Sequence, residues 1–216
     1  MRSFIKFLVG LLPKSLKERV YASIRESRNR KIIRQWQDEG SKFPPPHPVK
    51  QMAIREYGRK YGCRTLIETG TYLGDMVEAQ RRNFDRVYSI ELSTDLCNKA
   101  VERFKEFPNV SILQGDSGMI LPKLMKDVQS PALFWLDGHY SAGFTAKGEK
   151  DCPIHEELDA IFSSSPHPHI LLIDDARLFV GEGDYPTIES LSAFIRSKNP
   201  KYRIQVKDDI IRGTIG

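Results

Sequence analysis

The chain has 216 residues, 40% of them hydrophobic and 28% charged, which is typical of a globular protein and excludes a disordered or collagen-like one. The net charge of +5 is concentrated: residues 1–40 contain ten Lys and Arg against four Asp and Glu, so the rest of the chain is nearly neutral and lacks the basic surface that nucleic acids favour. The three cysteines are far apart and form no CxxC pair, which argues against a zinc site or disulfide framework and suits a reducing, cytoplasmic compartment.

Residues 1–43 are predicted to form a basic helical extension of the main domain, residues 44–216. The apolar run at residues 7–12 is too short to span a bilayer, and no A-x-A site follows it as in a signal peptide. From Lys14 onwards a basic amphipathic helix is predicted, because apolar residues recur at helical spacing at Leu16, Val20, Ile24, Ile32 and Trp36. Two interpretations remain open: packing on the body or on a partner subunit, which is favoured, and contact with a membrane surface.

After the proline-rich residues 44–48, short apolar runs alternate with helical patterns. Strands are predicted at residues 65–69, 86–91, 110–114, 132–137 and 169–174, and helices at 49–61, 75–83, 94–107, 118–128, 153–163 and 187–198. The strands are mostly continuous apolar runs, as expected of a parallel sheet covered on both faces. Two terminal runs flank Asp208-Asp209 and predict a hairpin. The predicted fold is a doubly wound, mostly parallel Rossmann-like α/β sheet with a C-terminal antiparallel hairpin, which binds ligands at the carboxyl ends of its strands.

Three successive strands end in polar residues at that edge. The first runs into a glycine-bearing loop, residues 68–74, and the second ends in Glu91, 21 residues after Gly70. A carboxylate about 20 residues after a glycine turn is where a ribose diol is held. The third strand is followed by Asp116 and Ser117. A nucleotide-like ligand is therefore predicted, the alternative being that Glu91 caps the next helix and Asp116 lies in a turn.

The loop sequence ETGTYLG resembles the first motif of class I S-adenosylmethionine-dependent methyltransferases, in the form found in catechol and caffeoyl-CoA O-methyltransferases. The resemblance covers roughly residues 60–180 and implies that residues 44–216 bind S-adenosylmethionine. It implies that the glycine loop wraps the methionine part of the cofactor, that Glu91 binds the ribose, and that Asp116 with Ser117 lies near the adenine. The cofactor residues so expected are Glu68, Gly70, Thr71, Tyr72, Gly74, Glu91, Leu92, Asp116, Ser117 and Asp137.

The fourth and fifth strands end in aspartates, Asp137 and the pair Asp174-Asp175. Neighbouring parallel strands lie about 4.8 Å apart, so these carboxylates can converge, and they would repel unless a cation is present or some stay protonated. Oxygen ligands suit Mg²⁺ or Mn²⁺. The three positions match the metal ligands of metal-dependent O-methyltransferases, particularly those of the macrocin and novobiocin-pathway sugar type. This resemblance implies methyl transfer to a hydroxyl of a sugar or other small molecule.

His139 follows Asp137 by two residues, where the sugar-modifying relatives often have an acidic residue. The catechol branch instead has a lysine three positions after the aspartate, where this chain has Tyr140. A histidine pKa near 6.5 suits a general base, so His139 and Asp137 are the candidate catalytic residues. A metal-ligand role and a passive role for His139 remain open. The polar residues 141–151 are a candidate substrate loop.

Two other functions remain as alternatives. A nucleic-acid methyltransferase could use the basic N-terminal segment, although no N/D-P-P-Y-like motif follows the fourth strand. A non-catalytic protein could retain the cofactor fold and bind a partner or a membrane surface through its N-terminal helix. A homo-oligomer is compatible with either.

Overall fold

The structure, a computed structural model, describes residues 13–138 and 152–215. Contacts divide the chain into two compact units, Met1–Val49 and Lys50–Gly216. The sequence predicts the boundary between residues 43 and 44, in the proline-rich segment. Within the described ranges, no helix combines the length and apolar character that crossing a membrane requires.

The N-terminal unit contains helix α1, Lys14–Asp38. Its apolar residues do not share one face, which corrects the prediction of an amphipathic helix. A spacing of four residues advances about 40° around a helix, so the row from Leu16 to Trp36 winds through about 200° of its surface. Leu16 and Ile24, two residues of this row, are exposed. The indole of Trp36 donates to the carbonyl of Lys42 at 2.7 Å, just beyond the helix.

In the described part of the chain, seven strands form one sheet in the order β3-β2-β1-β4-β5-β7-β6. They are β1 Thr65–Thr69, β2 Arg86–Glu91, β3 Val110–Gln114, β4 Leu133–Leu136, β5 Ile170–Ile173, β6 Tyr202–Lys207 and β7 Ile210–Ile215. The first five are parallel, and β7 runs antiparallel to β5 and β6. The predicted doubly wound sheet and terminal hairpin are thus confirmed. The strand order reverses between β1 and β4, and their carboxyl ends therefore open a crevice.

Helices connect the parallel strands as predicted. They are α2 His47–Lys60, α3 Asp75–Gln80, α4 Thr94–Phe104, α5 Ser117–Leu124, α6 Ile154–Ser164 and α7 Ile188–Lys198, with 3₁₀ turns at Met125–Asp127 and Ala176–Leu178. Helices α3, α4 and α5 end three or four residues earlier than predicted, and α5 is followed by the 3₁₀ turn Met125–Asp127. The Asn83 side chain donates to the carbonyl of Ala79 and so caps the end of α3, and Pro108 follows the turn that closes α4.

The core lies on both faces of the sheet. Along β4, Phe134 and Leu136 belong to the apolar cluster on one face, whereas Leu133 and Trp135 belong to the cluster on the other. All four side chains are buried, as expected for a central parallel strand. Strands β4 and β5 each stop one residue short of the predicted ends, so Asp137 and Asp174 begin the loops at the carboxyl edge.

Candidate active site at the carboxyl edge of the sheet

The loop after β1 is shaped by two glycines. Gly70 has a φ of +86°, and a Cβ atom there would lie 2.4 Å from the backbone oxygen of Asp137. Gly74 has a φ of +76°, and its Cβ would lie 2.6 Å from the ring of Phe104. Larger residues would be strained in backbone and in space at both positions. The predicted sharp turn is therefore present, and it brings the loop against the end of β4.

Glu91, at the end of β2, holds this loop to the next one. Its Oε2 accepts a hydrogen bond from the amide of Tyr72 at 2.8 Å, and its Oε1 accepts one from the amide of Ser93 at 2.9 Å. Tyr72 has a φ of +48° and is itself exposed. Because each carboxylate oxygen has two lone pairs, Glu91 can still accept from a ribose diol. Its bond to Ser93, the N-cap of α4, gives it a structural role as well.

Glu68 is buried beneath the loop. It accepts a hydrogen bond from the hydroxyl of Ser89, which also lies 2.6 Å from the hydroxyl of Thr71. Burial raises the pKa of Glu68 to about 8; the Ser89 hydrogen bond opposes this shift, and the nearby Glu91 adds to it. Glu68 is therefore largely protonated at neutral pH. Its contacts tie β1, β2 and the loop together.

The residues after β3 are engaged in local contacts. Asp116 caps α5 and accepts from the amide of Gly118 at 2.8 Å. The hydroxyl of Ser117 donates to Glu157 Oε1 at 2.6 Å. Glu157 is a buried residue of α6 that the sequence does not single out. Leu92, the residue after β2, is half-buried.

The three predicted metal ligands come together. Oxygen atoms of Asp137, Asp174 and Asp175 lie within 4.8 Å of one another. The pairing of Leu136 with Ile173 in adjacent strands places the following aspartates side by side. Asp174 is 1% exposed, and its Oδ1 accepts from the amide of Asp175 at 2.8 Å. Asp175 adopts a left-handed conformation with a φ of +53°.

Two basic side chains, neither predicted from the sequence, contact this cluster. Lys50 of α2 places its Nζ 2.5 Å from Asp174 Oδ2 and 3.2 Å from Asp175 Oδ1. Arg177 Nη1 donates to Asp175 Oδ1 at 2.8 Å and also to Asp209 of the hairpin turn. The cluster is therefore partly neutralised by the protein itself.

Burial and mutual repulsion act on the same carboxylates. The pKa of Asp137 lies well above its ordinary value, first because of burial and then because of Asp174, while Lys50 opposes the shift. Burial also raises the pKa of Asp174. For Lys50, burial acts to lower the pKa, but the surrounding aspartates raise it above its ordinary value, so the ammonium stays charged. Asp174 and Asp175 are thus buried, and their charge is balanced in part by Lys50 and Arg177.

Gly138 is needed because the chain passes close to other groups. A Cβ there would lie 2.9 Å from Glu157 Oε1 and 3.1 Å from Thr69 Oγ1. Close approach of these side chains therefore favours glycine at this position. His139, Tyr140 and the substrate loop at residues 141–151 lie outside the described residues, so their roles stay predictions.

A small pocket lies beside the acidic cluster. It is partly open to solvent and is lined by Leu136, Gly138, Cys152, Pro153, Ile154, Glu157, Ile173, Asp174, Phe179 and Tyr185. The rings of Phe179 and Tyr185 meet edge to face, with centroids 5.5 Å apart. The pocket thus combines an apolar, aromatic wall with the carboxylate of Asp174.

No protein-family model and no curated protein matches the sequence. Solved structures do match the fold. The O-methyltransferase TomG from Streptomyces achromogenes, in complex with SAM, has 16% sequence identity and a TM-score of 0.56, over 87% of this chain and 89% of that chain. An O-methyltransferase from Bacillus cereus, in complex with SAH, has 13% identity and a TM-score of 0.58, over 88% and 91%. The SAH-bound methyltransferase PaMTH1 from Podospora anserina has 15% identity and a TM-score of 0.55, over 95% and 98%. The chain therefore has the fold of S-adenosylmethionine-dependent methyltransferases, as its glycine loop predicts.

Proposed function

We propose that the protein transfers the methyl group of S-adenosylmethionine to a hydroxyl oxygen of a small molecule. The observation that carries this proposal is the position of Asp137. Its backbone oxygen lies against Gly70 in the candidate cofactor loop, and its side chain belongs to the carboxylate cluster. A cofactor on the loop and an acceptor at the cluster would therefore be neighbours.

The cofactor would lie along the ends of β1, β2 and β3. S-adenosylmethionine supplies an electrophilic methyl group on a positively charged sulfur. The glycine loop lets the backbone approach the methionine part, and Glu91 accepts hydrogen bonds from the ribose. Asp116, with Leu92 and Ser117, lies at the adenine end. Glu68 and Thr71 support the loop through Ser89.

The carboxylate cluster would hold a divalent cation, with Asp137, Asp174 and Asp175 as ligands. The donor set fits a hard cation, because three carboxylates offer oxygens within 4.8 Å of one another. Such an ion, Mg²⁺ in the first instance, lowers the pKa of a hydroxyl bound to it. The imidazole of His139 is proposed to take the hydroxyl proton on a ring nitrogen, on the basis of its position two residues after Asp137.

The acceptor is proposed to be a ring-sized molecule, with a sugar as the first choice. The pocket beside the cluster has an aromatic wall, formed by Phe179 and Tyr185. Phe179 and Tyr185 can pack on the apolar face of such a ring while its hydroxyl faces Asp174. A cytoplasmic location, a partner subunit and membrane contact through α1 remain predictions from the sequence.

Calorimetric titration with S-adenosylmethionine tests the cofactor assignment. Glu91→Ala should lose about 1.5–3 kcal/mol of binding free energy, as expected for hydrogen bonds to a charged carboxylate. Glu102→Ala is the matched control, because Glu102 is an exposed glutamate of α4 and its ion pair with Lys105 lies at the surface. Equal affinities for the wild-type protein and a folded Glu91→Ala variant would contradict the assignment.

A further inference from the structure

Lys50 already occupies the position of a cation in the carboxylate cluster. Its Nζ lies 2.5 Å from Asp174 Oδ2 and 3.2 Å from Asp175 Oδ1. The Lys50 side chain is only 15% exposed and that of Asp174 is fully buried. Because both groups are shielded from water, their attraction is much stronger than that of a surface ion pair.

Lys50 contacts one of the two Asp174 oxygens that a metal ion could use. Of the two oxygens of Asp174, Oδ1 accepts the amide of Asp175 at 2.8 Å and Oδ2 contacts Lys50. Each oxygen keeps a second lone pair, but a cation that approached Asp174 would be repelled by the Lys50 ammonium and would compete with Lys50 or with the Asp175 amide for the carboxylate. Displacing the amide would disturb the backbone, where Asp175 has a left-handed conformation. Displacing the Lys50 side chain requires only a change of its rotamers.

Arg177 is less able than Lys50 to move aside for a metal ion. Its guanidinium contacts Asp209 as well as Asp175, and its backbone amide donates to Asp209 Oδ1 at 2.8 Å. These contacts anchor it to the turn of the terminal hairpin. When a metal ion enters, Arg177 can therefore stay in place while Lys50 leaves.

We propose that Lys50 is a resident counter-ion that competes with the divalent cation for Asp174 and Asp175, and so sets how tightly the site binds metal. This inference rests on the metal site of the proposed function. Without metal, the Lys50 ammonium compensates the negative charge of the carboxylates and holds Asp174 and Asp175 in place. With metal, Lys50 gives up both carboxylates, and the cost of that exchange weakens the observed metal affinity.

The test is a calorimetric titration of the chelator-treated full chain with MnCl₂. Lys50→Gln, which keeps a polar side chain beside the carboxylates, should bind Mn²⁺ about 10- to 100-fold more tightly than the wild-type protein, the factor that corresponds to one hydrogen bond between charged groups. Lys50→Arg retains the charge and should stay near the wild-type affinity. The matched control is Lys198→Gln, which removes a lysine paired with Asp159 at 2.7 Å in a surface ion pair.

A second variant, Lys50→Ala, lets water reach the carboxylates and should change affinity in the same direction; a cooperative thermal transition identifies the folded variants. If the wild-type protein, Lys50→Gln and Lys50→Ala bind Mn²⁺ equally, and Asp174→Asn weakens binding in each, competition by Lys50 is overturned while the metal site stands. If no variant binds Mn²⁺ at millimolar concentration although the protein binds S-adenosylmethionine, the metal site itself is overturned, and the competition with it.

Discussion

Replacing Gly70 by alanine should damage both halves of the candidate site, because this residue is where they touch. The substitution has two costs. A φ of +86° is unfavourable for alanine by about 1 kcal/mol, and a Cβ atom 2.4 Å from the Asp137 oxygen must push backbone apart, which costs about 1–3 kcal/mol more. The free energy of unfolding should therefore fall by about 2–4 kcal/mol, with weaker binding of S-adenosylmethionine.

Gly62 offers a control that separates the two costs. Its φ is +66°, but a Cβ there would meet nothing within 4 Å. Gly62→Ala should lose only the backbone part, about 1 kcal/mol. Urea unfolding at neutral pH, analysed with one m-value for all the proteins, gives the free energy of unfolding of each variant. If Gly70→Ala is no less stable than Gly62→Ala and binds the cofactor normally, the close approach of the loop to β4 is not as described.

Three further predictions concern titrating groups. Burial, aided by His167, lowers the pKa of His169 to about 4 from 6.5, so stability should fall by about 1.4 kcal/mol per pH unit as pH drops through this window. His169→Asn can still accept the hydrogen bond from the Ala132 amide. Its free energy of unfolding, measured with urea, should fall less steeply between pH 6.5 and 4.5 than that of the wild-type protein. Glu68 has a pKa of about 8, so the folded protein retains a proton that the unfolded chain releases above pH 4.5. The free energy of unfolding of Glu68→Gln should therefore increase relative to that of the wild-type protein as pH rises toward 8. A difference between the two proteins that does not change with pH would refute the protonation of Glu68. His139→Ala should turn over about 10²–10⁴-fold more slowly with nearly normal cofactor affinity, and a parallel loss of metal affinity would identify His139 as a ligand instead.

The sequence predicts the parts of this molecule that depend on local signals. Strands β1, β2 and β3 coincide with their predicted residues, because apolar runs ending in polar groups mark buried parallel strands. The convergence of Asp137 with Asp174 follows from the same reasoning, since neighbouring strands end at one edge. The glycine loop is equally local, and its contact with Asp137 explains why glycine is required.

The unpredicted parts depend on contacts distant in sequence. Lys50 is 124 residues from Asp174, and nothing around it distinguishes it from other helical lysines. Arg177 meets Asp209 only because the hairpin returns beside β5, and Glu157 meets Ser117 across two helices. The error in α1 has another origin: apolar residues four apart suggest one face, yet the small mismatch with the helical repeat accumulates over 25 residues.

Methyl transfer to oxygen is tested most directly with S-adenosylmethionine carrying an isotopically labelled methyl group. The wild-type protein and Glu91→Ala are incubated with it and Mg²⁺, in parallel with a cellular small-molecule fraction and with cellular nucleic acid, and the products are followed by mass spectrometry. We predict that the wild-type protein forms a labelled methyl ether of a small hydroxylated compound together with S-adenosylhomocysteine, and that Glu91→Ala forms far less. Label found in nucleic acid, or no transfer by a wild-type protein that binds the cofactor, would contradict the proposed function.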